Sequence, residues 1–207
     1  MNQEEKQKAI KAIKNFKTKE KQLLSTYEKG YLGKRSYKVT LENGSIMPCE
    51  QITKRKENGD AVVIIPITTE GNYLVVVQAR PNTYETVAIE FPAGMVDKNE
   101  QNELAAIREL VEETGYVPRN IYELESHYQD QGCSKALITT YVAEGCQKKQ
   151  DQKLDEDENL TYIEVDDQDI RDLLTRKKED LLTEIGMRDA NSKIGYMTLQ
   201  LKRKNLL

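Results

Sequence analysis

The chain has 207 residues, 38% of them hydrophobic and 32% charged, with eleven Tyr, no Trp and a net charge of −4. That balance is too apolar and varied for a disordered chain, too neutral overall for a binder of polymeric nucleic acid, and large enough for one good core with a small second unit. Three cysteines without a CxxC pair leave little basis for a disulfide framework or a zinc site.

The opening MNQEEKQKAIKAIKNFKTKEK has no apolar run, so no signal peptide is expected there, and no segment reaches the ~18 apolar residues of a membrane span. Those features lead us to expect a cytoplasmic protein with no membrane partner. Residues 3–28 lack Pro and Gly and are dense in Lys, Glu, Gln and Ala, which predicts a helix with a thin stripe of Ile10, Ile13, Phe16, Leu23 and Leu24. Its apolar side would pack on its own domain or on a second copy. Beyond Gly30 and Gly33 the period changes, and residues 36–52 predict a hairpin turning at Asn43-Gly44.

After the polar loop KRKENGD, residues 61–67 and 73–79 predict two β-branched strands buried on both faces. A short strand at 85–94 runs into a Pro-containing loop, and a helix follows at 102–114. Later strands are expected near 120–129, 136–144 and 161–165, a charged loop at 147–160, and helices from Asp169 onward to about Leu201. Strands on both sides of one central helix predict an α/β class with a mixed β-sheet.

The central helix gathers Glu109, Glu112 and Glu113 within five positions. On a helical wheel Leu104, Ile107 and Val111 share one side, to pack on the sheet, and the three carboxylates share the other, projecting outward. They lie at the helix C-terminus, where the dipole favours cations instead. Like charges at this spacing cost about 0.2–0.5 kcal/mol per pair when exposed. A solvated acidic face would explain the cluster at that cost; so would Mg²⁺ or Mn²⁺ held by hard oxygen ligands.

The spacing Gly94, Glu100, Arg108-Glu109-Leu110, Glu112-Glu113, Gly115 resembles the Nudix box, with Tyr116 where an aliphatic residue is more usual. Gln78-Ala79-Arg80-Pro81, Glu90-Phe91-Pro92-Ala93-Gly94 and the acidic stretch Leu154-Asp155-Glu156-Asp157-Glu158 resemble the ADP-ribose pyrophosphatase branch, over about residues 35 to 200. The resemblance implies a Nudix fold, a mixed sheet in an α/β/α sandwich. It implies a smaller part at 1–57, helix plus hairpin, forming a homodimer, and a hydrolase domain at 58–207.

It further implies Mg²⁺-dependent (or Mn²⁺-dependent) hydrolysis of a nucleoside diphosphate sugar, foremost ADP-ribose. GDP-mannose, NADH or a purely nucleotide-sensing role are the alternatives. By position, Glu109, Glu112, Glu113 and the Ala93 carbonyl would hold metal, with Glu112 sharing a second ion. Glu158, or failing it Glu156, would be the base. Arg80 and the loop of Gly132 would meet substrate, and Glu90 would bind either a ribose hydroxyl or another metal. Glu100 and Arg108 would hold the box together by an ion pair, and Gly94 and Gly115 would permit its backbone turns. His127, the single histidine, is read as a strand residue without a catalytic role. The stretch Asp130 to Ala136 departs from the branch: Gln131 replaces a Pro, and Lys135-Ala136 stand where acids are usual. Tyr31 and Tyr37 are the candidates for stacking on a base.

Overall fold

The apolar β-branched runs 61–67 and 73–79 form the core of one compact unit. A computed structural model describes residues 2–156 and 158–207. Asp157, part of the acidic stretch named above, lies outside the described residues. The chain divides into two compact units: residues 2–59 with 130–136, and residues 60–129 with 137–207.

In the first unit, α1 (Gln3–Phe16) precedes three strands, β1 (Thr18–Glu28), β2 (Leu32–Leu41) and β3 (Ile46–Lys54), which form an antiparallel sheet in chain order. The helix expected at 3–28 therefore ends at Phe16, and residues 18–28 are a strand. Their composition favours helix, but β2 provides a full-length edge, pairing Thr18 with Leu41 and Glu28 with Gly33. Tertiary pairing overrides local propensity here. The hairpin turn lies at Asn43-Gly44, where Gly44 takes a φ of 84°. The segment 130–136 joins this sheet through Ile52, whose N–H donates to the Cys133 carbonyl at 2.7 Å. No residue of α1 is buried.

The second unit is built on an eight-stranded mixed sheet. Its main path runs β11 (Leu160–Val165), β5 (Tyr73–Ala79), β4 (Ala61–Thr68), β10 (Leu137–Lys148), β8 (Tyr116–Val117). Off this path, β6 (Val87–Glu90) pairs β5, β7 (Ala93–Met95) pairs β4, and β9 (Asn120–Tyr128) pairs β10. The β4–β10 pair is parallel and the rest are antiparallel.

Alternate residues of β4 point to opposite faces, and each face has its own helices. Val62 and Ile64 pack with Ala105, Ala106 and Leu110 of α2 (Asn102–Thr114). Val63, Ile65 and Ile67 pack with Ile170 and Leu173 of α3 (Asp167–Thr175) and with Tyr196 and Leu199 of α5 (Ala190–Arg203). A short α4 (Leu181–Ile185) lies between α3 and α5. The layers are thus helix, sheet, helix. No helix is long and apolar enough to cross a membrane among the described residues.

One local expectation is corrected. The face of α2 against the sheet is Ala105, Ala106 and Leu110, together with Glu109, Glu113 and Thr114, whereas Leu104 is exposed and Ile107 and Val111 are half-buried. Small alanines let the helix approach the strands closely, so side-chain volume rather than hydrophobicity sets its rotation. Glu109 and Glu113 consequently turn inward.

Candidate active site

Two carboxylates face the interior because the backbone before the helix leaves them room. Glu109 is 8% exposed and Glu113 2%. A Cβ on Gly94 would lie 1.9 Å from the Glu109 carboxyl carbon, so any larger residue there would push this carboxylate from its place. Ala93, next to it in β7, donates its N–H to Glu113 Oε2 at 3.2 Å. At the other end Gly115 closes α2 in the left-handed region, φ 75°, and returns its N–H to the Val111 carbonyl at 2.8 Å. A Cβ there would meet the Gln150 carbonyl oxygen at 2.0 Å.

Arg108 organises the rest of the cluster. Its guanidinium donates to both oxygens of Glu100 at 2.9 Å, to Glu109 at 2.7 Å, to Glu112 at 3.2 Å and to the Met95 carbonyl at 3.1 Å. Glu100 in turn accepts the Asp97 N–H at 3.0 Å. The result is a fork that ties the loop 95–100 to the helix. The hydrogen bond to Glu100 is the strongest influence raising the Arg108 pKa, and burial opposes it, so its charge is permanent.

Burial raises the carboxyl of Glu113 well above its ordinary value; the neighbouring charges of Glu109, Glu158 and Glu90 add to this, against the single N–H of Ala93. Burial likewise raises Glu109, against the pull of Arg108, with Glu112 and Glu158 contributing repulsion. Side chains from three segments, Glu90 of β6, Glu109 of α2 and Glu158 of the loop before β11, therefore all bring negative charge to bear on Glu113.

Glu158 reaches this cluster because its loop is strapped down at both ends. Lys149 and Gln150 donate N–H groups to the Gly115 carbonyl at 2.9 and 3.2 Å, and Lys153 donates to the Glu112 carbonyl at 2.9 Å. The Gln152 amide donates to the Glu113 carbonyl and the Lys148 ammonium to that of Thr114. These donors satisfy the orphan carbonyls of α2 and place positive charge at the negative end of its dipole. On the far side the Asn159 carbonyl accepts from Ala79 at 3.0 Å, next to β5. Glu158 itself accepts the Asp155 N–H at 3.0 Å. Glu156 is exposed in the turn between them. None of the straps has a spacing signature that the sequence reading could have used.

Arg80 and Glu90 are brought together: Arg80 Nε donates to Glu90 Oε1 at 2.7 Å. Burial raises the Glu90 carboxyl, with Arg80 opposing. Both line a cavity of about 360 Å³ with Tyr84, Glu85, Arg188 and Asp189, four residues that carry no motif. Gly132 belongs to the other unit, where its N–H donates to Asp130 at 2.9 Å. In that unit Lys21 lies over the Tyr37 ring at 3.9 Å and Arg55 over the Tyr31 ring at 5.9 Å. His127, on β9, shares hydrogen bonds with Glu125 at 3.2 Å and Asn191 at 3.1 Å.

The donors suit a hard divalent cation in kind, since all are carboxylate or carbonyl oxygens in a repulsive cluster. Among the described residues no three such side chains already converge on one point. Glu109 and Glu112 instead share the Arg108 guanidinium, so a cation would have to draw Glu109 away from it.

Comparison with known proteins agrees with this geometry. A model of the NUDIX domain matches residues 57–183. The chain is 30% identical over 165 residues to an ADP-ribose pyrophosphatase of Bacillus subtilis (strain 168), covering 79% of this chain and 82% of that protein. It is 38% identical over 122 residues to a methanol dehydrogenase activator of Bacillus methanolicus, covering 58% of this chain and 65% of that protein. A crystal structure of an ADP compounds hydrolase superposes with a TM-score of 0.70 over 92% of this chain and 99% of its own, at 21% identity, which is a likeness of fold. With the box residues gathered at the end of α2 and the domain model covering 57–183, the chain belongs to the NUDIX domain family and is a Nudix hydrolase of the ADP-ribose pyrophosphatase-like branch.

Proposed function

We propose that this protein hydrolyses the diphosphate bond of a nucleoside diphosphate sugar, foremost ADP-ribose to AMP and ribose 5-phosphate, with Mg²⁺ or Mn²⁺ as cofactor. The observation that carries this reading is the burial of Glu109 and Glu113 against the Gly94 loop, at the cost of mutual repulsion. The name of the Bacillus subtilis relative supports the choice of substrate.

Glu109, Glu112 and Glu113, with the Ala93 carbonyl, would hold the cation. A divalent ion bound there neutralises phosphate charge and lowers the pKa of a coordinated water. Glu158 accepts the proton as water attacks phosphorus, and the bridging P–O bond breaks with its electron pair leaving on the departing phosphate. Glu156 is the reserve base. Glu100 and Arg108 hold the box rigid, Gly94 leaves room for the Glu109 carboxylate, and Gly115 admits the turn that closes α2. Arg80 matches the diphosphate as a planar fork, and Glu90 orients Arg80 and takes a ribose hydroxyl. Gly132 and its loop contribute to substrate binding.

The test is a product assay with Mg²⁺ and a panel of ADP-ribose, GDP-mannose and NADH, run beside Glu113→Gln. AMP from ADP-ribose, with the variant slower by about 100-fold or more, is the expected outcome. Equal turnover by the variant removes the metal assignment, and preference for GDP-mannose or NADH changes the substrate alone. Tight binding without any product would make the protein a nucleotide sensor.

The first unit suits self-association. Leu23, Leu24, Tyr27, Leu32, Ile46 and Met47 are exposed on its strands, more apolar side chain than a solvated sheet ordinarily shows. A homodimer through residues 1–57 would cover them, with 58–207 as the hydrolase domain.

A further inference from the structure

The cavity beside the carboxylates is bounded by two arginines, and only Arg80 belongs to a motif. Arg188 also lines the cavity, from the turn between α4 and α5. Val87, Ala88 and Ile185 add apolar side chains to the same lining. The volume of about 360 Å³ is within the range of small-molecule sites and admits a sugar phosphate.

The backbone under Arg188 is unusually well fixed for a turn. Met187 is fully buried and its N–H donates to the Leu173 carbonyl at 3.1 Å. Asp189 caps α5 by accepting the Ser192 N–H at 2.7 Å, and the buried Ser192 hydroxyl accepts the Phe91 N–H at 2.9 Å. Phe91 directly follows Glu90. Arg188 is therefore held at a set distance from the strand that carries Glu90, which in turn orients Arg80.

The guanidinium itself is only lightly engaged. Among the described residues it pairs with Glu85 alone, and its side chain is 48% exposed. Glu85 sits in the β5–β6 loop, next to Thr86, a β-branched residue at φ 58°. The loop is pinned in that conformation by hydrogen bonds between Arg80 and Thr86 at 2.9 Å and between Thr86 and Thr83 at 3.2 Å. A bidentate donor thus faces a cavity with most of its N–H groups free, and a carboxylate holds it until an anion arrives.

We propose that Arg188 is a second substrate-binding residue of this site, which exchanges Glu85 for a phosphate oxygen of the diphosphate and so grips the substrate together with Arg80. This rests on the reading of the site as a nucleoside diphosphate sugar hydrolase. Glu85 acts as a competing anion, so it weakens substrate binding while keeping the empty site neutralised. A surface ion pair that only staples the loop to α5 would behave differently: loss of either partner would loosen the cavity and weaken binding.

The test is calorimetric binding, with Mg²⁺, of an ADP-ribose analogue whose bridging oxygen is replaced by a methylene. Arg188→Ala is expected to bind about 10- to 100-fold more weakly than the parent. Arg188→Lys, which keeps charge and stem, should recover part of that loss. Glu85→Gln is expected to bind about 2- to 5-fold more tightly, the scale of an exposed ion pair. Unchanged affinity in Arg188→Ala, or weakening in both Arg188→Ala and Glu85→Gln, overturns the proposal while leaving the hydrolase reading intact. Absence of binding by the parent protein overturns this proposal and ADP-ribose as the substrate together, and leaves the hydrolase reading to the product assay.

Discussion

The contact between Gly94 and Glu109 decides whether the box can form. The missing Cβ gives the Glu109 carboxylate its place. Gly94→Ala is therefore expected to push Glu109 outward and to cost about 1–3 kcal/mol of stability, the usual range for overpacking. Hydrolysis should fall with it even where the protein remains folded. A thermal melt and a turnover assay on the same sample check both, and an active, equally stable variant would show that Glu109 has another position open to it. The motif spacing marked Gly94 as special. That its role is to make room for a carboxylate, rather than to turn the backbone, was not legible without the coordinates.

Single elements show where sequence patterns hold and where they give way. β4, β5 and α2 were legible because their runs agree with their environment: β4 and β5 are buried on both faces, and α2 ends at a left-handed glycine. β1 was not, because its strand state comes from pairing with β2 and its own residues favour helix. The rotation of α2 was misread because a wheel ranks hydrophobicity, and the alanines that face the sheet rank low. At the start of α3, Asp167 joins three elements. It accepts from Tyr196 at 2.7 Å, Gln200 at 3.1 Å and Tyr73 at 3.4 Å, and pairs with Arg171. Burial opposes its ionisation, but the Tyr196 hydroxyl and the Arg171 charge outweigh it and lower its pKa. A lowered carboxyl stabilises the fold above its unfolded value, near 3.9, and that contribution disappears as the pH falls through the folded value. Asp167→Asn should thus cost about 1 kcal/mol at pH 7, discounted for its partial exposure, and progressively less below pH 4. Urea melts across that range give the slope, and a cost independent of pH would remove the charge from the account.

For the molecule as a whole, the α/β class and the mixed sheet followed from the order of runs, and the family from one motif. The straps on loop 149–153 and the cavity wall at Arg188 did not, since they depend on residues distant in sequence and free of pattern. The division into units shows the same limit: residues 130–136 leave the hydrolase sheet to pair with β3, a detour that no composition shift announces. Self-association belongs to this scale. Sedimentation of the intact chain is expected to give a dimer, and Leu23→Ser with Leu24→Ser to shift it toward monomer. A monomeric parent protein would leave the exposed apolar side chains of that sheet without a second copy to cover them.

The parallel pairing of β4 with β10 bears on how the chain is made. Val62 lies beside Thr139 and Ile67 beside Glu144, so the most water-averse strand waits for a neighbour more than seventy residues later. On a ribosome, one side of that strand can meet β5 and β7 soon after it emerges, but the edge that pairs with β10 stays unmatched until residues 137–148 have been synthesised. Contacts so remote slow folding and lengthen the interval in which a sticky segment meets other chains. Truncated nascent products ending before residue 137 would be natural clients for a chaperone.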